Sequence, residues 1–159
     1  MRIKIGRRDM RSVFKSALVS LFGLCAILII PYQAEAQISA EFDLAGYHVT
    51  EPVGTAAVGM AEATVRRDSL IISGHFEDLK GRYWSAYIHY GAPGEKGNRL
   101  LKLHADVSDD HRSGRFDPQK NAFKMSDAVR EALSEGNLYL LVSSEPHRQG
   151  EIRGQLPEL

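Results

Sequence analysis

Short segments in which apolar and polar residues alternate recur along most of this chain, and this pattern constrains the fold more than any other feature. The first lies at residues 38–44, where Ile38, Ala40, Phe42 and Leu44 are separated by polar residues. Successive side chains of a β-strand point to opposite faces, so such a segment can bury one face. Further strands are predicted at residues 55–65, 69–76, 83–90, 100–107, 137–144 and 150–156, with a short one near 115–116. Many short strands at regular spacing predict an all-β fold, an antiparallel β-sandwich with Greek-key-like connections.

One segment predicts a helix instead. Residues 126–135 begin with Ser126, which can cap a helix, and with Asp127, which suits the positive end of its dipole. Gly136 ends the segment, as is typical of a helix C-terminus. An apolar stripe is formed by Val129, Ala132 and Leu133. The expected fold class is therefore all-β with one short helix.

The N-terminal region has the pattern of a secretory signal peptide. Six basic residues lie within the first 15, residues 17–30 are almost wholly apolar, and Ala34-Glu35-Ala36 has the small-x-small form of a cleavage site. The apolar run is shorter than the roughly 20 residues that span a bilayer, which disfavours the alternative of an uncleaved anchor. We predict a signal peptide at 1–36, preceding a single domain at 37–159 that begins at Gln37. Either Met1 or Met10 could be the start, because the segment from Met10 still contains a complete signal.

Charge and cysteine content narrow the possible functions. Residues 37–159 hold 14 basic and 18 acidic side chains, a net charge of −4 with neutral histidine. This balance argues against nucleic acid and against an anionic membrane surface as partners, since both favour basic patches. The only cysteine, Cys25, lies in the predicted signal, so the domain is expected to lack disulfides, thiolate metal sites and thiol nucleophiles.

Polar side chains at a spacing of two residues mark the best candidate site. Tyr87 and His89 share one face of a predicted strand, and Glu151 and Arg153 share a face of another. If the strands are neighbours, these four and Ser143 form a polar cluster. Two interpretations are open: a patch that recognises a ligand, or an internal network in which Glu151 and Arg153 pair and His89 donates to one of them. The second is favoured, because buried charges persist only when they are paired and hydrogen-bonded.

Metal and catalytic sites are less well supported. None of the histidines has a ligand partner at His-x-His or Glu-x-x-His spacing, so neither a metal nor another cofactor is predicted. The histidines concerned are His48, His75, His89, His104, His111 and His147. Residues 109–112 are interpreted as a solvated turn and 145–150 as a hairpin connection, so Ser143, Ser144, Glu145 and His147 are not assigned a catalytic role and no enzymatic activity is expected. No helix follows Gly91, Gly94 and Gly97, so these residues predict a loop shaped by backbone requirements rather than a phosphate cradle.

Several segments together resemble a known family. They are Glu51-Pro52-Val53, Gly59-Met60-Ala61, Phe76-Glu77-Asp78-Leu79, Ile88 to Gly97, Gly136-Asn137-Leu138-Tyr139 and, most specifically, Gly150-Glu151-Ile152-Arg153-Gly154-Gln155-Leu156. In these segments the chain resembles the CHRD domain, a module named after chordin and found in many exported bacterial proteins. The resemblance covers about residues 40–156.

The chain departs from the family pattern at two positions. Tyr87 stands where the first histidine of His-x-His is usual, and Ser143 stands in the segment where Asn-Val-His-Thr is usual. A single remaining motif histidine, His89, cannot hold a metal by itself. The resemblance implies an exported, non-enzymatic binding or structural module of the periplasm or cell exterior, with an unknown protein or envelope component as its partner. The alternatives are a metal-binding β-sandwich with superoxide-dismutase-like chemistry and a role in surface adhesion or matrix assembly.

Overall fold

A computed structural model of the protein describes residues 36–159, so the predicted signal peptide lies outside the described residues except for its last one. Within that range no helix has the length and apolar character needed to cross a membrane. The strands are β1 (Gln37–Ala45), β2 (Val58–Arg66), β3 (Ser69–Glu77), β4 (Tyr83–Tyr90), β5 (Arg99–Leu103), β6 (Asp106–Val107), β7 (Gly114–Phe116), β8 (Ala122–Lys124), β9 (Leu138–Ser144) and β10 (Ile152–Gln155). One α-helix, α1 (Asp127–Ser134), and a 3-10 turn at Gly46–His48 complete the described elements.

The strands of residues 36–159 form one antiparallel sheet that curls into a half-barrel, in the order β5-β4-β9-β10-β1-β2-β3-β7-β6, with β8 paired to β3. The two edge strands, β5 and β6, are consecutive in the chain and are joined only by His104 and Ala105. A link this short reaches roughly 10 Å, so both edges of the sheet must lie close together. The predicted all-β antiparallel fold with one short helix is confirmed.

Aromatic packing shows how the two halves of the curled sheet enclose the core. Phe76 of β3 stacks on Tyr83 of β4 with ring centroids 5.3 Å apart, although these strands are far apart in the sheet order. Phe116 of β7 packs against the Phe76 ring, with ring centroids 5.6 Å apart. The two halves therefore face each other like the layers of a sandwich. The largest fully buried apolar side chains between them include Leu44, Leu70, Ile72, Leu79, Ile88, Leu138, Leu140 and Ile152.

The helix agrees with its sequence signals. Ser126 precedes α1, and its hydroxyl oxygen accepts a hydrogen bond from the backbone N–H of Val129 at 3.3 Å. Gly136 has a φ of +67°, a conformation that favours glycine at a helix C-terminus. Ala132 and Leu133 bury the apolar stripe against the core.

The region after β4 differs from the sequence prediction in two respects. The single strand predicted at 100–107 is two strands, β5 and β6, because the chain crosses there from one sheet edge to the other. The short strand β8 was not predicted, because its alternation is too brief to stand out after a polar segment. Its central residue, Phe123, lies opposite Leu70 of β3 and packs against the core.

A buried amide holds the crossing between the sheet edges. Asn121 is fully buried, and its side-chain oxygen accepts from the N–H of His104 at 2.8 Å. Its side-chain nitrogen donates to the carbonyl oxygens of His104 and Asp117, both at 2.9 Å. Asn121 thus satisfies both backbone groups of His104, as a neighbouring strand would.

We expect Asn121→Ala to lower the free energy of unfolding by about 2 kcal/mol, because it removes a fully buried amide and leaves the N–H and carbonyl groups of His104 without this partner. Chemical denaturation of residues 37–159 measures this loss. Asn98→Ala is the matched control: its side chain is exposed and should change stability by less than about 0.5 kcal/mol. Equal effects of the two substitutions would show that the Asn121 amide does not stabilise the link between β5 and β6.

Candidate functional site

The face of β4, β9 and β10 that points away from the core carries most of the predicted site. In the strand register, His89 lies opposite Tyr139, and Tyr87 and Arg153 both lie opposite Leu141. Residues directly opposite one another share a face, so these side chains lie together. His89, Tyr139 and Arg153 are nevertheless buried. An outer sheet face this well covered requires a second layer, which three loops supply: loop A (residues 46–57), loop B (91–98) and loop C (145–151).

Arg153 lies at the centre of this layer. Its Cζ lies 3.6 Å from the centroid of the Tyr139 ring, a close cation–π contact. Nη1 donates to Thr50 Oγ1 at 3.0 Å in loop A and to the carbonyl oxygen of Glu95 at 2.6 Å in loop B. Nη2 donates to the carbonyl oxygen of Ala92 at 2.9 Å, also in loop B. The guanidinium therefore fastens two loops to the sheet, and its burial lowers the Arg153 pKa from its ordinary value.

Gln155 extends this network and was not singled out from the sequence. Its Oε1 accepts from Arg153 Nη2 at 2.9 Å. Its Nε2 lies 3.0 Å from the carbonyl oxygen of Gly91, 2.7 Å from that of Gly136 and 2.9 Å from that of Leu138. Its spacing of two residues from Arg153 was the available signal, since Glu151, Arg153 and Gln155 stand at alternate positions of the segment Gly150–Leu156, the closing motif.

His89 anchors the other end of loop B. Its ring stacks on Tyr139 with centroids 4.9 Å apart and planes inclined by 18°. Its Nδ1 lies 3.0 Å from the carbonyl oxygen of Gly97, and because a carbonyl only accepts, Nδ1 carries the proton. The Tyr139 hydroxyl accepts from the N–H of the same Gly97 at 3.1 Å. Burial lowers the His89 pKa, and the charges of Arg99 and Arg153 lower it further against the effect of the Gly97 bond.

Loop B presents mainly carbonyl groups to the buried layer, and the N–H of Gly97, which donates to the Tyr139 hydroxyl, is the exception. The carbonyl oxygens of Gly91, Ala92, Glu95 and Gly97 all accept from side chains of the site. A loop that cradles phosphate does the opposite and directs its N–H groups inward. A Cβ at Gly97 would lie only 1.4 Å from the Tyr90 carbonyl oxygen, so the loop can close only with glycine there.

Glu151 and Arg153 do not pair, and that expectation is wrong. Glu151 is fully buried, and its Oε1 accepts from Thr55 Oγ1 at 2.6 Å and from the N–H of Lys80 at 2.7 Å. Its Oε2 accepts from the hydroxyl of Ser144, which points to the core side of β9. The reason is local: Glu151 lies at a bend immediately before β10, whose register begins at Ile152, so the alternation that directs Arg153 outward does not extend to it.

The remaining predicted residues lie at the margins of the cluster. Tyr87 is half-buried, with its ring 6.2 Å from that of His89 and the guanidinium of Arg99 4.7 Å above it. Ser143 is buried on the same sheet face but lies opposite Ser85, about 13 Å along β9 from Tyr139. The structure therefore brings Tyr87, His89 and Arg153 together and separates Ser143 and Glu151 from them.

Three cavities of the described residues flank the buried layer, and one of them, of about 450 Å³, lies between loops A and C. The larger cavity, of about 510 Å³, lies between loops A and B, and Arg153 and Gln155 line its base. The smallest, of about 120 Å³, lies beside His89 and Tyr139. In residues 36–159 no three or more His, Cys, Asp or Glu side chains are grouped so that they could hold a metal ion.

The chain matches a known protein family. The family model of the CHRD domain matches residues 40–156. The chain belongs to the CHRD domain family. No match was found among curated proteins or among solved structures. CHRD domains are not a known enzyme family, and membership supports a binding or structural module in general terms. In this CHRD domain the closing motif supplies Glu151, Arg153 and Gln155 to the site. The segment Ile88–Gly97, which also resembles the family, supplies His89 and most of loop B.

The lowered pKa of His89 predicts a pH dependence. The unfolded chain takes up a proton near the ordinary pKa of 6.5, whereas the folded chain takes it up only at lower pH. Stability contributed by neutral His89 is thus complete above about pH 6.5 and declines as the pH falls. We expect wild-type protein to lose more stability than His89→Gln between pH 7 and pH 5. Unfolding at each pH measures this, and His75→Gln, exposed on β3, should behave like the wild type.

Proposed function

We propose that this CHRD domain is an exported, non-enzymatic module that binds or supports a protein or envelope component in the periplasm or outside the cell. The observation that carries the proposal is that the polar side chains of the site are hydrogen-bonded to other groups of the protein itself. Arg153 and His89 bond to carbonyl groups of loop B, and Glu151 bonds to three internal donors. These side chains hold the loops in place and leave the outer loop surface to meet a partner.

Burial argues in the same direction. A catalytic acid, base or nucleophile must be able to reach its substrate. Arg153 is 2% exposed, His89 7% and Glu151 0%. A recognition surface built from loops on a rigid sheet has no such requirement. The side chains that were candidates for a ligand-recognition patch therefore support a structural role in a binding module.

Export is tested by the fate of the N-terminus. In cells that express the whole chain, we expect the protein in the periplasmic or extracellular fraction, with Gln37 as its first residue by N-terminal sequencing. Replacing Ala36 with arginine should block cleavage, because that position requires a small residue. A cytoplasmic protein with an intact N-terminus would contradict this part of the proposal.

The alternative of a metal centre with superoxide-dismutase-like chemistry is tested separately. Elemental analysis of the purified, folded protein after dialysis against copper or zinc should show far less than one metal ion per chain. Stoichiometric metal, lost on substitution of His89, would support the alternative and contradict the proposal. Dismutase activity measured on the same sample provides the second readout.

A further inference from the structure

The larger cavity has a mouth formed by groups that the buried layer does not use. It occupies about 510 Å³ between loops A and B, and its outer lining includes Asp43, Tyr47, His48, Pro52 and Pro93. Pro52 and Pro93 give it two rigid apolar walls from different loops. A concave site with apolar walls and a few fixed polar groups is the usual form of a binding pocket.

An aromatic ring and a carboxylate are held side by side at this mouth. Tyr47 is 69% exposed, and its hydroxyl donates to Asp43 Oδ2 at 3.2 Å. The ring of His48 packs edge-on against Tyr47 with centroids 4.2 Å apart. His48 Nδ1 in turn lies 3.2 Å from the carbonyl oxygen of Arg153, which fixes it to the sheet. Tyr47 and Asp43 are thus oriented in advance although both are exposed.

The carboxylates at and beside the mouth have no lysine or arginine partner. Asp43 lines the mouth, Glu41 on β1 and Glu95 in loop B are exposed near it in the chain, and no lysine or arginine of residues 36–159 forms an ion pair with these three. The ring nitrogen Nδ1 of His48 lies 3.8 Å from Asp43 Oδ2. The nearby Lys96 is 2.7 Å from Glu51 and is therefore engaged elsewhere. At the base of the cavity the Arg153 guanidinium bonds to neutral oxygen acceptors and keeps its positive charge, so a cationic group of a ligand must stay at the mouth beside Asp43.

The acidic surface continues along β1, where two carboxylates lie opposite each other on neighbouring strands. Glu41 lies directly opposite Glu62 of β2, an arrangement that is unfavourable unless a cation lies nearby. Glu41 and Asp43 are two residues apart on the same outer face, which separates them by about 7 Å. An extended peptide repeats its own side chains at the same interval, so basic residues at alternate positions would match both carboxylates.

We propose that this cavity accepts a lysine or arginine side chain from an extended basic segment of a partner protein. The charged group lies between the Asp43 carboxylate and the face of the Tyr47 ring, a combination that attracts cations. The aliphatic part of the side chain packs against Pro52 and Pro93. A second basic residue, two positions along the segment, reaches Glu41. This inference rests on the proposed function, because it names the partner of a binding module.

A blocked peptide of alternating lysine and serine, acetyl-Lys-Ser-Lys-Ser-Lys-amide, is the probe. We expect it to shift backbone NMR signals of isotope-labelled residues 37–159 around Asp43, Tyr47 and Pro93, in a saturable manner that weakens with salt. The same peptide with acetylated lysines should not bind. Asp43→Asn and Tyr47→Ala should each weaken binding by about fivefold, as expected for one exposed charge or ring contact.

Two matched variants distinguish binding in the cavity from nonspecific attraction between the basic peptide and the acidic protein. Asp109→Asn removes one exposed carboxylate from a distant turn and should leave binding unchanged. Tyr47→Phe keeps the ring and should bind nearly as well as wild type. Unchanged melting temperatures of all four variants ensure that a loss of binding is not a loss of folding.

Other results would overturn the inference. These are absence of saturable shifts, equal binding by Asp43→Asn, or displacement of the peptide by a neutral oligosaccharide such as chitotriose, which would assign the cavity to sugars. If the protein is exported and metal-free but fails these titrations, the proposed function stands and only the ligand assignment fails. If the peptide binds as described but the protein is retained in the cytoplasm, the proposed location fails and the ligand assignment stands.

Discussion

Arg153→Met will lower the free energy of unfolding by about 3 kcal/mol, because the substitution keeps the volume and removes every donor of a buried guanidinium. In loop B the carbonyl oxygen of Glu95 would lose its side-chain donor, and that of Ala92 would keep only the N–H of Glu95. Thr50 in loop A would lose its bond to the sheet at the same time. Since methionine can still pack on Tyr139, the loss reports the hydrogen bonds more than the packing.

The variant should also change local dynamics in a way that identifies the cause. Amide hydrogen exchange of loop B, including the N–H of Glu95 that donates to Ala92, should accelerate relative to the core strands. Arg153→Lys restores the charge but not the planar fork, and should recover less than half of the lost stability. Chemical denaturation and exchange monitored by mass spectrometry provide both measurements.

Arg99→Met is the matched control, because Arg99 lies over Tyr87 on the same sheet face but is exposed. It should cost less than about 1 kcal/mol, as is usual for an exposed cation–π contact. If Arg153→Met were as stable as Arg99→Met, loops A and B would be anchored by other contacts. The interpretation of Arg153 as the centre of the buried layer would then be wrong.

The local periodicity of the sequence carries most of the information on the fold. The strand at 83–90 is predicted with the bounds that β4 has, and Ser126 and Gly136 mark the ends of the helix correctly. These elements depend on neighbours in the chain, so a single sequence reveals them. The division of 100–107 into β5 and β6 depends on sheet closure, a long-range property that alternation does not encode.

The candidate site shows the same limit in its side chains. The alternation of Tyr87 with His89 correctly places them on one face, and the register brings Arg153 to that face. The partners of Arg153 are carbonyl groups of loop B, and backbone acceptors leave no trace in residue type. Glu151 lies at a bend just before β10, where the alternation of the strand no longer applies.

The separation of Glu151 from Arg153 leads to a second large effect. Glu151→Ala should lower the free energy of unfolding by about 4 kcal/mol, because three donors lose their common buried acceptor and a cavity forms. These donors come from different parts of the fold: Thr55 in loop A, the N–H of Lys80 before β4, and Ser144 at the end of β9. The carboxylate therefore joins segments that no strand pairing connects.

Glu151→Gln separates charge from shape. Its amide oxygen can still accept two hydrogen bonds, and its amide nitrogen can donate to the Ser144 hydroxyl if that hydroxyl changes from donor to acceptor, but all three bonds lose the carboxylate charge. We expect a loss of about 2 kcal/mol, intermediate between wild type and Glu151→Ala. Glu145→Gln, at an exposed position of loop C, should have almost no effect.

A double-mutant cycle with Ser144→Ala locates the effect in this network. If Ser144 donates to Glu151, the two substitutions should be less than additive, with a coupling of about 1 kcal/mol measured by chemical denaturation. The cycle of Glu151→Gln with Arg153→Met should show much weaker coupling, because the two side chains bond to different groups. Strong coupling between Glu151 and Arg153 would restore the ion pair that the structure separates, and with it a single polar cluster.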